Sequence, residues 1–239
     1  MKGYNELLKM IMNSLKAAKN YVGEVGTVEG EKVDENSLIE DNTIVEDVMN
    51  ALRDLKVPIQ WQRKTYATRK PLMNWFKNFV NKVEFMRTWV TEGEPKTFFA
   101  PAFISFKGFL SSVLRLYLKD NPVTTKCIDI EFTILKDTED VNWKKEGVVI
   151  NGLHLINGTW NSESMRLEDS PVGKIRSKLP SILLKPTFIS EETSKGYLCP
   201  VYRSTEKGNE PIVCIRLPTD KNDEYWILKE TVIVLELDD

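Results

Sequence analysis

The chain has 239 residues, 41% of them apolar and 28% charged, with a formal net charge of −2. That length is generous for one domain and suits two sub-domains, each able to bury a core without disulfide or metal staples. The balanced charge and the lack of a basic block argue against a nucleic-acid binder, and no apolar run approaches the ~18–20 residues needed to span a bilayer.

In sequence order, Tyr4, Leu7, Leu8, Ile11, Leu15, Ala18 and Val22 recur at three- and four-residue steps, which predicts one stripe of a five-turn helix. Gly23, Gly26 and Gly30 then punctuate an acidic loop reaching Glu40. A second helix is predicted around Ile44, Val48, Leu52 and Leu55. Its start is read from the capping-box spacing of Thr43 and Glu46, and its end from Pro58. A third begins with Pro71 in its first turn and carries Leu72, Trp75, Phe76, Phe79, Val80, Val83, Met86 and Val90, stopped by Gly93 and Pro95. A fourth runs from Phe106 to Leu118, stopped at Asn121-Pro122.

After Pro122 the period changes. Ile128, Ile130, Phe132 and Ile134 alternate with Asp129, Glu131 and Thr133, the signature of a half-buried strand. Further strands are expected over 148–156, 181–184, 197–202, 212–217 and 226–237, with turns at Asn157-Gly158, Lys207-Gly208-Asn209 and 218–222. The resulting fold class is α+β: about four helices over 1–122, then an antiparallel β-barrel or sandwich of about six strands over 123–239.

No phosphate cradle of the GxxxxGK[ST] or GxGxxG type occurs, and no GxSxG elbow. His154 is the one histidine, set in a strand pattern that points it away from the face of Leu153 and Leu155. A small hydrolase using it is therefore a weak alternative to a strand position with no chemistry. The thiols Cys127, Cys199 and Cys214 have no paired spacing and read as buried and free; with one histidine they do not make a zinc site. Carboxylate pairs at Glu139-Asp140, Glu168-Asp169, Glu191-Glu192 and Asp238-Asp239 fall in turns or at the terminus and read as solvated charge. The basic cluster Arg63-Lys64 and Arg69-Lys70 around Tyr66 reads as a solvated face or a contact for an acidic protein partner. Another alternative is a free-standing interaction module using the aromatic face of the third helix, for which exposure of Trp75, Phe76 and Phe79 would speak.

Several segments, in order over most of the sequence, carry a family resemblance. They are Tyr4-Asn5-Glu6-Leu7-Leu8, then Val57-Pro58-Ile59-Gln60-Trp61 with Tyr66 and Lys70-Pro71-Leu72, then Phe98 to Phe103 with Gly108-Phe109. They continue with Gly152-Leu153-His154-Leu155 through Gly158-Thr159-Trp160, then Cys199-Pro200-Val201-Tyr202, then Pro218-Thr219 through Trp226. The protein thereby resembles the C-terminal domain of dynein heavy chains, axonemal rather than cytoplasmic in its Cys-Pro-Val-Tyr form. One departure is Lys229-Glu230, where the family commonly has arginine and glycine, a change expected to alter a turn or a salt bridge.

The resemblance implies a domain that is not catalytic. It would pack on the AAA+ ring of a minus-end-directed microtubule motor, belong to the same heavy chain, and regulate motility. No cofactor is expected in this fragment; ATP and Mg would sit in the parent ring. The parent complex would include intermediate and light chains and microtubules, in the cytoplasm and cytoskeleton of a ciliary or flagellar axoneme. No nucleic acid and no membrane are expected as partners, and the N-terminal residues read as no secretory signal, so the protein is expected inside the cell. In physical terms, Trp61, Trp160 and Trp226 suit sub-domain seams, Gly152 and Gly158 permit a bulge or tight turn, and Pro200 belongs on a strand edge or start.

Overall fold

The computed structural model describes residues 2–24, 35–121, 128–136, 147–188, 195–204 and 210–237. The expected Lys207-Gly208-Asn209 turn, Cys127 and the carboxylate pairs at 139–140, 191–192 and 238–239 lie outside them. Close contacts divide the protein into two compact units, one ending at Met86 and the other Arg87–Leu237.

The first unit is helical. α1 (Lys2–Glu24) buries Tyr4, Leu7, Ile11 and Ala18. Leu15 and Val22, expected on the same stripe, are exposed, because apolar residues on this helix spread beyond the width that one neighbour covers. α2 (Glu35–Arg53) begins eight residues before Thr43, so the Thr43–Glu46 spacing lies inside the helix rather than at its start. Nor does Pro58 end it. Leu55 takes a left-handed conformation (φ 55°), and the Lys56 and Leu55 amides donate back to the Ala51 and Leu52 carbonyls (2.8 and 3.1 Å). That is a Schellman stop with leucine where glycine is usual. Pro58 instead caps the short α3 (Ile59–Arg63), a helix the periodicity does not announce. In α4 (Leu72–Glu92) Pro71 stands one residue outside the first turn, and its carbonyl accepts from the Asn74 and Trp75 amides (3.0 Å each). Gly93 (φ 94°) stops it, as expected.

The second unit contains α5 (Phe106–Asp120), the strands β1 (Phe98–Phe99), β2 (Ile128–Ile134), β3 (Val148–Asn151), β4 (His154–Ile156), β5 (Thr159–Asn161), β6 (Arg166–Glu168), β7 (Arg176–Lys178), β8 (Ile182–Phe188), β9 (Tyr197–Tyr202) and β10 (Val213–Leu217), then α6 (Asp223–Leu228) and β11 (Val232–Val234). α5 packs on β2 and β8, so the last long helix goes with the strands. The sheets have the orders β1-β3-β8-β2 and β10-β9-β11-β4-β7, with β5-β6 as a separate hairpin.

Several expectations about the strands fail. Among the described residues no barrel closes, and the sheets are mixed: β1 runs parallel to β3, and β9 parallel to β11. The 226–237 strand is α6 followed by β11, because Asn222 caps a helix by accepting from the Tyr225 amide (3.0 Å). The α+β class stands.

The expected strand 148–156 is also two strands in different sheets. Gly152 separates them with φ 86°, and a Cβ there would lie 2.6 Å from the Phe99 ring and 2.8 Å from Pro101 Cδ. Only glycine combines that dihedral with that close approach. Gly152→Ala is expected to lower the unfolding free energy by about 2–3 kcal/mol, from left-handed strain plus overlap with a packed ring. Urea denaturation of the 239-residue protein measures it, and a loss below about 0.5 kcal/mol would show the turn to be relaxed.

Candidate functional site

The motif residues fall into two arrangements, one per unit, each built around buried tryptophans. In the first unit, Tyr4, Phe79, Trp75 and Trp61 form a ladder of rings with centroids 6.0, 5.3 and 5.8 Å apart in succession, the Trp75–Phe79 pair nearly parallel at 5°. The ladder begins and ends on α1. Trp61 Nε1 donates to Ser14 Oγ (3.1 Å), while the Ser14 hydroxyl donates to the Met10 carbonyl (2.7 Å). Trp61 and Trp75 are each 2% exposed, so the indole N–H of Trp61 needs that partner. Burial of Trp75 and Phe79 also removes two of the three rings on which a free interaction face was expected; Phe76 remains exposed.

Around the ladder the Val57-Pro58 and Lys70-Pro71-Leu72 segments meet side by side. Lys56 and Pro71 form an antiparallel bridge, and the Leu72 amide donates to the Leu55 carbonyl (2.8 Å). Gln62 ties the two segments. Its amide donates to the Val57 carbonyl (2.8 Å), and its oxygen accepts from the Thr68 amide (2.9 Å). Lys70 is buried, its backbone amide held by Thr68 Oγ1 (3.1 Å). A groove of about 510 Å³ runs past Asp47, Lys56, Val57, Gln62, Arg69 and Lys70. Nearby, the Lys82 ammonium lies 4.9 Å over the Tyr66 ring.

In the second unit Trp226, fully buried on α6, donates from Nε1 to Thr219 Oγ1 (3.1 Å), and Thr219 donates on to the Leu167 carbonyl (3.1 Å). The Pro218 carbonyl accepts from the Leu167 amide (2.8 Å), so the Leu-Pro-Thr motif and β6 are stitched together. Thr231 is a second junction. Its carbonyl accepts from Tyr197 Oη (2.9 Å) and from Cys199 Sγ (3.8 Å), and its hydroxyl donates to the Asn157 carbonyl (3.1 Å). Burial pushes the Cys199 thiol and the Tyr197 phenol well above their usual ranges, so both stay protonated and act as donors.

Pro200 lies inside β9, paired with Cys214 of β10; β11 joins the other side only from Val201 onward, so the missing N–H interrupts no ladder there. Gly158 packs against Leu167, Thr231 and Leu155. Trp160 is buried on β5 opposite Leu167. Gly108 donates to Ser105 Oγ at the start of α5 (3.0 Å), and Phe109 stacks on Phe103 (4.0 Å between centroids).

His154 starts β4, half-buried between Val234 of β11 and Lys178 of β7. Leu153 and Leu155 beside it are fully buried. Among the described residues no three His, Cys, Asp or Glu side chains gather as a metal site. The arrangement holds strands together through hydrogen bonds and packed rings.

The family model for the C-terminal domain of the dynein heavy chain matches residues 1–235. The protein belongs to this family. Dynein axonemal heavy chain 12 of Rattus norvegicus is 24% identical over 248 residues, covering all of this sequence and 8% of its own length. The Homo sapiens protein of that name is 26% identical over 250 residues, again 8% of its own length. The dynein-1-beta heavy chain of the flagellar inner arm I1 complex from Chlamydomonas reinhardtii is 30% identical over 199 residues, 80% of this sequence and 4% of its own. The domain therefore spans less than a tenth of these relatives.

One feature carries no signal in the sequence. Arg203, next to the Cys-Pro-Val-Tyr motif, donates from Nη2 to the Phe103 and Ile104 carbonyls and lies 3.6 Å from the buried Glu236 carboxylate. It clips the end of β11 to the turn before α5, and one Arg among 33 cations does not stand out. The Lys229-Glu230 departure, by contrast, is visible in the sequence, and it affects both a salt bridge and a turn. Lys229 forms an ion pair with Asp169, which also accepts from Tyr225 Oη (2.7 Å). The hydrogen bonds from Lys229 and then Tyr225 hold the Asp169 carboxyl below its usual range. Glu230 takes φ 53°, the left-handed conformation that the family's glycine would adopt freely.

Glu230→Gly is expected to raise stability by about 0.5–1 kcal/mol, the relief of left-handed strain less glycine's extra unfolded-state entropy. Thermal and urea unfolding report it; a loss of stability would mean that contacts of the Glu230 side chain outweigh the strain.

Proposed function

We propose that this domain is a regulatory and structural element of a dynein heavy chain that does no chemistry itself. It packs on the AAA+ ring of a minus-end-directed microtubule motor in a ciliary or flagellar axoneme and tunes motility. The observation that carries the reading is family membership over 1–235, with the motif residues spent on packing: Trp61 on Ser14, Trp226 on Thr219, Gly152 against Phe99.

Hydrolysis of ATP with Mg belongs to the parent ring in this reading, and intermediate chains, light chains and microtubules are partners of the parent complex. The domain acts by binding one conformational state of the ring better than another, since equal contacts to every state would shift nothing. Neither nucleic acid nor membrane enters. The charge is balanced, and among the described residues no helix is long and apolar enough to cross a bilayer.

The experiment is stepping and ATP turnover by the parent heavy chain with and without this domain. Run length, stall force or ATPase rate is expected to change on removal by at least about threefold, the effect of a coupling near 0.7 kcal/mol. Identical values for all three would remove the regulatory role.

A further inference from the structure

We draw no further inference here: the strongest candidate, the groove of the first unit between α2 and the 56–59 and 68–70 segments, is lined by Lys56, Arg69 and Lys70 but also by Asp47, and its cations already have partners, so nothing in the structure shows what covers it.

Discussion

At Gly152 the backbone turns with Phe99 and Pro101 standing where any side chain would be. The architecture of the second unit follows from that contact. The apolar run beginning at Val148 is cut there into β3, which joins β1 and β8, and β4, which joins β11 and β7. One strand would have built one sheet. Because β4 receives both β7 and β11, it sets the positions of the 170–175 loop and of the end of α6, where Val172, Ile175, Ile227 and Leu228 are exposed.

Buried polar groups do a second job. Thr231, Asn157, Tyr197 and Cys199 share one hydrogen-bonded junction, and Trp226, Thr219 and Leu167 share another. Satisfied networks of this kind specify one arrangement of strands more sharply than apolar packing does. In the first unit the ring ladder has the same role, closed on α1 through Tyr4 and Ser14. Residues that carry family resemblance are thus residues that set geometry. This fits the proposed role of a surface held in place, and Arg203, reaching from the end of β9 to the turn before α5, extends that logic to the buried Glu236 carboxylate.

Much of this is legible in the sequence, and the failures have local causes. β2 spans 128–134 with its predicted alternation, because one face is buried and the other is not. The long helices α1, α4 and α5 follow their apolar spacing, but α2 ends at a left-handed leucine, for which no residue signal exists. Asp-Glu-Tyr-Trp-Ile-Leu is too short to separate a helical period from a strand run, so α6 reads as strand. β5, β6 and β7 have three residues each, below the length at which alternation can be seen. The parallel pairing of β9 with β11 depends on contacts about thirty residues apart in sequence, which no local pattern encodes. For the site, the identities Trp61, Gly152, Cys199 and Trp226 are readable, whereas their partners Ser14, Phe99, Thr231 and Thr219 are not, since partners are set by the fold.

Each unit is, on this view, a self-sufficient, preformed body whose order does not depend on the rest of a heavy chain. Amide hydrogen exchange tests that most directly, comparing the isolated 239-residue protein with the same residues inside the parent motor. Amides of β4, β9 and β11, and those of α1 and α4 beside the ring ladder, are expected to exchange at rates agreeing within about tenfold in the two settings, a difference under ~1.4 kcal/mol. Core amides that exchange about a thousandfold or more faster in the isolated protein, on the order of 4 kcal/mol, would contradict it and make the fold a product of its attachment.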